Sequence, residues 1–252
     1  MALIKNKIPI LEYDDNPSAV LMPDRDHLYQ FPEYAVFPFL GDEIEAFAKS
    51  RNCLKIGEFE TITKVFPIYQ LSYCQKDICL CQAPLGGAAA AQFLDFLIGY
   101  GARKIISAGS CGALVPIEEN QFLIPTEALR DEETSYHYLP PCRTIKADRA
   151  AVAAIEKAMK KNSISYTKCR TWTTDGFFRE TKDLVSYRRE EGFSVVEMEC
   201  ASLFACAQFR NATFGQFLFT ADTLADIQDD RNWGKDSFAP ALQICLDAVV
   251  EL

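Results

Sequence analysis

The 252-residue sequence is poor in imidazole and in positive charge: it has two histidines, two tryptophans, and 26 Lys plus Arg against 35 Asp plus Glu. His27 and His137 are the only imidazoles and no two cysteines stand at CxxC spacing, so the clustered Cys and His of a structural zinc site are missing. The formal net charge of −9 repels phosphodiesters and anionic lipid, which argues against a general nucleic-acid or membrane-surface binder. It also means that an anionic substrate needs a locally positive pocket. Long apolar runs are absent as well. The stretch from Ala83 to Ala102 is broken by Gln92, Asp95 and several glycines and reads as a buried helix. Met1 to Asp15 mixes Lys5 and Lys7 with acids and carries no leader-like apolar core, so a cytoplasmic location is expected.

Cysteine, in contrast, is plentiful. The ten cysteines are irregularly spaced, and the nearest pair, Cys79 and Cys81, would share one face of a strand as core residues. Free thiols in a reducing compartment are the simplest reading. With 49% apolar and 24% charged residues the chain suits one globular domain over residues 1–252.

Residues 1–40 read as irregular, rich in proline and aromatics, with Ala19 to Met22 as a possible first strand. Helices are expected over Gly41 to Ser50, Ala88 to Tyr100, Asp148 to Lys161, Thr181 to Glu191, Cys200 to Phe209 and Asp236 to Val250 from apolar spacing and cap residues. Phe66 to Tyr73 and Ile78 to Ala83 form an expected hairpin. Further strands are expected at Lys104 to Ala108, Gln121 to Ile124, Ser165 to Trp172, Ser194 to Val196 and Thr213 to Phe219. Strands alternating with helices indicate α/β architecture.

Three motifs follow strand-like runs, as polar groups do at the carboxyl edge of an open α/β sheet. The first is Gly109-Ser110-Cys111-Gly112, where glycines allow tight turns and let backbone amides face a ligand. Alone it is a weak signal, because glycine-flanked strand ends are common. The second is Val196-Glu197-Met198-Glu199. In extended backbone residues 197 and 199 point the same way, so two carboxylates stand together and one of them needs donors nearby. The plain alternative is an acid at a helix N-terminus, favoured by the dipole. The third is Thr220-Ala221-Asp222, where Asp222 is either a turn residue or a general acid.

The order and spacing of these motifs resemble the nucleoside phosphorylase family, the branch with hexameric purine nucleoside phosphorylase and uridine phosphorylase, over roughly residues 18–250. The resemblance implies a single-domain, three-layer α/β fold with a mixed central sheet flanked by helices. It implies cleavage of the N-glycosidic bond of a ribonucleoside, with inorganic phosphate as co-substrate and no cofactor. Residue by residue, Met198 and Glu199 would hold the ribose, a carboxylate accepting two hydrogen bonds from a vicinal diol. His137, or its neighbour Tyr138, would reach the 5′ end from the polar segment Arg130 to Pro141. Cys111, Gly112, Glu197 and Phe177 would contact the base, with Phe177 taken from Thr173-Thr174-Asp175-Gly176-Phe177-Phe178. Asp222 would protonate the departing base, assisted by Lys235 or, as a second candidate, Arg231. Uridine phosphorylases read uracil with a Gln and an Arg where this chain has Thr181 and Asp183, so Arg179 and Glu180 are the alternatives at a base edge.

Phosphate would fall to Ser110, Gly86, Gly87, Lys64 and Arg25. The family's Gly-Asp-Pro-x-Arg loop is matched here to Met22 through Leu28, with Asp24 and Leu28 in place of Gly and Arg. Ser107 replaces the Arg before the Gly-Ser turn. Each lost charge-assisted hydrogen bond is worth about 1.5–3 kcal/mol. Water as acceptor, as in the related nucleosidases, and a nucleoside-binding protein without turnover therefore stand as alternatives to phosphorolysis. Family members form dimers that often associate into hexamers, which implies a homo-oligomer in which Lys64 acts across an interface.

Overall fold

A computed structural model describes residues 3–224 and 232–252. Ten strands and seven helices are found among them. The strands are β1 (Tyr34–Val36), β2 (Leu54–Glu60), β3 (Val65–Tyr73), β4 (Lys76–Leu80), β5 (Lys104–Ala113), β6 (Phe122–Asp131), β7 (Thr144–Lys146), β8 (Tyr166–Thr174), β9 (Val195–Glu197) and β10 (Thr213–Thr223). The helices are α1 (Glu43–Ser50), α2 (Gly87–Gly99), α3 (Ser135–Tyr138), α4 (Arg149–Lys161), α5 (Lys182–Glu190), α6 (Cys200–Phe209) and α7 (Phe238–Val249).

All ten strands join one mixed sheet in the order β10-β6-β8-β9-β5-β1-β4-β3-β2, with β7 beside β6. β10 also pairs with β5 in parallel, so β5, β9, β8, β6 and β10 close into a ring. Alternation along β5 and β10 divides the core. Ile105, Phe214 and Leu218 pack with α2 and α6 on one side. Ile106, Ala108, Phe217 and Phe219 pack with α1, α4 and α7 on the other. This is the three-layer arrangement that the sequence implied, and burying both faces explains why these strands read as nearly continuous apolar runs.

Local chemistry accounts for most boundaries. Asp148 caps α4 by accepting from the Ala151 amide at 2.9 Å, and Thr181 caps α5 by accepting from Leu184 at 3.3 Å. The β3–β4 hairpin turns on Cys74 and Gln75, both at positive φ (48° and 63°), the left-handed pair of a tight two-residue turn. Cys79 and Cys81 are both fully buried in the α2–α6 core.

Three expectations need correction. Ala19 to Met22 forms no strand, and the first strand is Tyr34–Val36, continued by Phe37 and Phe39 amides that donate to Ile106 and Ala108 of β5 at 2.9 and 2.7 Å. β2 went unpredicted because its pattern, Leu-Lys-Ile-Gly-Glu-Phe-Glu, lies at a half-exposed edge with no clean apolar face. Gly109 to Gly112 and Thr220 to Asp222 are not turns after strands. They lie within the carboxyl ends of β5 and β10 and pair with each other across a register shift at Ala221.

Candidate functional site

The site is built where β5 meets two partners. At its carboxyl end Gly112 pairs with Val196 of β9 on one side and with Asp222 of β10 on the other. The β5–β10 register shifts between Thr220 and Asp222, leaving Ala221 as a bulge, the kind of irregularity that re-aims a side chain beside a site. A Cβ at residue 112 would stand 3.0 Å from Asp222 Oδ1 and 3.2 Å from Val196 Cγ1. Glycine is therefore favoured there by close approach rather than by a turn.

A cavity of about 490 Å³ opens over this junction, within the roughly 300–1,000 Å³ of small-ligand sites. Its floor is Gly109 to Gly112. Val196 to Glu199 form one flank, Ala221 and Asp222 the other, and Phe177, Phe178 and Glu180 close it from the segment before α5. Phe39, Leu85 and Trp233 complete the apolar wall, and Leu85 and Phe178 are 76% and 93% exposed at its mouth. Among the described residues, four lining side chains are carboxylates and none is Lys, Arg or His.

The two glutamates of the β9–α6 junction differ sharply. Glu197 Oε1 accepts from the Thr171 and Thr173 hydroxyls at 3.1 and 2.6 Å, and Oε2 accepts from the Glu199 and Cys200 amides, both at 2.7 Å. Burial raises its pKa, and these four donors oppose the rise. With its acceptor positions filled, Glu197 caps α6 and braces the flank. It also lines the cavity, where the sequence placed it as a base contact. Glu199 is 5% exposed and accepts from the Gly86 amide at 2.6 Å. Burial and then the Glu197 charge push Glu199 up to about 8.

Glu180 is pushed up to about 7 by burial and by the charge of Asp222. The two acids thus share one end of the cavity, and the proton that burial and the Asp222 charge favour is on Glu180. Cys111 is buried, its thiol 3.5 Å from the Phe219 carbonyl and its pKa held well above the usual thiol value by desolvation, so it lines the floor and is no nucleophile.

The structure therefore brings together Ser110, Cys111, Gly112, Phe177, Glu197, Met198, Glu199 and Asp222 around one cavity. Gly86 and Gly87 follow the lining residue Leu85 at the start of α2, where a Cβ on Gly87 would lie 2.3 Å from Ser202 Oγ. The Gly86 amide is engaged by Glu199. The other expected residues lie elsewhere. Arg25 is exposed, with Nη1 donating to the Met22 carbonyl at 3.5 Å and Nε 3.7 Å from Asp26. It belongs to no loop after a strand, because the chain between Phe37 and α1 fills that place. There Gly41-Asp42-Glu43-Ile44-Glu45 puts Glu45 at the Arg position of the Gly-Asp-Pro-x-Arg motif.

Lys64 is exposed in the β2–β3 turn, its Nζ 5.1 Å above the Phe66 ring. His137 is exposed in α3, away from the cavity lining, and Tyr138 donates to Asp95 at 3.3 Å. Lys235 is exposed in the 3-10 turn Lys235–Ser237, two residues beyond Trp233, and Arg231 lies outside the described residues. The sequence reading missed Phe39, Leu85 and Trp233. Phe39 was hidden by placing the first strand too early, and the other two sit in segments with no periodic pattern.

The model of the phosphorylase superfamily matches residues 33–251. The chain belongs to this superfamily. The match begins just before β1, in agreement with Tyr34–Val36 as the first strand. Among individual relatives, the guanosine phosphorylase of Halorubrum lacusprofundi is 26% identical over 205 residues, covering 78% of this chain and 85% of that protein. A DeoD-type purine nucleoside phosphorylase of Dichelobacter nodosus is 24% identical over 220 residues, covering 85% and 92%. A crystal structure of an AMP nucleosidase from Bacteroides thetaiotaomicron shares the fold at a TM-score of 0.71 and 23% identity, covering 87% of this chain and 88% of that one.

Proposed function

We propose that this member of the phosphorylase superfamily cleaves the N-glycosidic bond of a purine ribonucleoside and passes the sugar to water. The observation that carries the reading is Gly112, which sits in register between the flank bearing Met198 and Glu199 and the strand end bearing Asp222. A ribose on Glu199 and Met198 leaves its base over the β5 floor, near Asp222, Glu180 and the Phe177 ring. Protonating the base makes it a better leaving group, and an acid so placed contributes roughly 10²–10⁴-fold. A purine offers a ring nitrogen to receive that proton. Glu180, pushed up to about 7 beside Asp222, can supply a proton at that end of the cavity at neutral pH.

Water is favoured as acceptor by charge. No cation lines the cavity among the described residues, so a phosphate dianion there finds no charged partner among them. Phosphorolysis is the second reading. It draws support from the exposed Ser110 on the floor and from relatives that are phosphorylases, and it requires a cation beyond the described lining, such as Lys64 of a second copy. The test is base release from a nucleoside panel, with and without inorganic phosphate, followed by chromatography. Free base and free ribose in phosphate-free buffer are expected. Release only with phosphate, with ribose 1-phosphate formed, would overturn the hydrolytic reading in favour of the second.

A further inference from the structure

Four buried side-chain polar atoms among the described residues have no hydrogen-bond partner in the protein, and three of them lie together: Ser107 Oγ, Gln216 Nε2 and Gln216 Oε1. Ser107 is 0% exposed and Gln216 2%. The two are register partners on β5 and β10. Both point to the α2–α6 side of the sheet, the side that Gly109 and Cys111 present to the cavity two and four residues after Ser107. The Gln216 amide lies directly behind that floor, itself buried. Its Nε2 lies 3.3 Å from where a Gly109 Cβ would stand, as does the Phe39 ring, and Gly109 and Phe39 both line the cavity.

An unsatisfied buried polar group is costly, and a hydroxyl beside a primary amide offers both donors and acceptors without net charge. Such a set suits a water molecule, which takes two to four polar partners. It gives an anion no compensating charge.

We propose that Ser107 and Gln216 hold a water molecule at the floor of the cavity, behind Gly109, and that this water is the acceptor of the glycosyl group. The inference rests on the hydrolytic reading above. In the step, the C–N bond breaks with its electron pair going to the base, which takes a proton from Asp222. The water oxygen forms the new C–O bond at the sugar carbon. The extra proton of the adduct is lost to solvent, and Asp222 regains one. The sum is nucleoside plus water to free base plus free sugar. Ser107 and Gln216 move no proton themselves and act by placing the oxygen.

The test compares wild type with Ser107→Ala and Gln216→Leu in phosphate-free buffer, with and without added methanol. Wild-type base release without phosphate checks the hydrolytic reading alone. Both variants are expected to fold, since each removes an unpaired polar group and adds no bulk. Each is expected to lower kcat by at least about tenfold with KM for the nucleoside unchanged. Each is also expected to raise the share of methyl glycoside over free ribose, because methanol competes better once water is no longer held. That partition is a readout that a purely structural defect leaves alone. Variants with wild-type kcat and wild-type partition would overturn the water site and leave the hydrolytic reading standing. A wild type silent without phosphate would overturn the reading and the water site with it.

Discussion

Replacing Glu199 with Gln tests the electrostatics of the sugar flank directly. Glu199 is 5% exposed, beside Glu197, with the Gly86 amide on Oε1. Its pKa rises from 4.5 to about 8. The folded protein therefore binds more protons than the unfolded chain between those two values. The stability associated with this group is complete below about pH 4.5 and is lost as pH rises through about 8. Each tenfold change in proton affinity is worth about 1.4 kcal/mol, so ionising Glu199 costs the fold on the order of 5 kcal/mol, an upper bound because water entering the open cavity solvates the ion.

Glu199→Gln keeps the acceptor for Gly86 and cannot ionise. Urea unfolding at pH 6 and pH 9 should show wild type losing at least about 2 kcal/mol more than the variant over that interval. A bound ribose diol reverses the balance by donating two charge-assisted hydrogen bonds to the carboxylate, each worth about 1.5–3 kcal/mol. Nucleoside uptake near pH 7 should then release close to one proton, read by calorimetry in two buffers of different ionisation enthalpy. A 2′-deoxynucleoside should release less, and Glu199→Gln none. Equal pH slopes in wild type and variant, with no proton released by either, would refute both the burial argument and the ribose assignment.

Two other predictions address the opposite end of the cavity. Gly112→Ala places a methyl 3.0 Å from Asp222 Oδ1 and 3.2 Å from Val196. It should lower kcat by about 10- to 100-fold through misplacement of the acid and destabilise by roughly 1–3 kcal/mol, measured by steady-state base release and by denaturant melts. An unchanged kcat would remove Asp222 from the chemistry. Asp222→Asn should cut base release by roughly 10²–10⁴-fold with nucleoside affinity retained. It also removes the charge that helps push Glu180 up to about 7, so any pH inflection that Glu180 contributes to binding should move to lower pH. An inflection that stays in place would mean that burial alone sets it.

Much of this protein was legible in the linear sequence because the signals are local. Asp148 and Thr181 announced their helices by capping, the ladder of Ile155 and Met159 marked the buried side of α4, and the apolar runs of β5 and β10 marked strands buried on both faces. The order of the Gly109, Glu197 and Asp222 motifs carried the superfamily, and with it the three layers. What the tertiary structure decided is pairwise. The glycines of 109–112 read as turn residues until the sheet set Gly112 against Asp222, because nothing local distinguishes a glycine that turns the chain from one that admits a neighbour. Glu197 and Glu199 are alike in sequence, yet Thr171, Thr173 and two amides fill one carboxylate while burial and the Glu197 charge push the other up to about 8 despite its backbone donors. Arg25 and the charged residues near it looked like a phosphate loop only while the first strand was placed early. Sheet order put Phe39 there instead, and set Ser107 beside Gln216 across 109 residues of chain, a juxtaposition that only strand pairing creates.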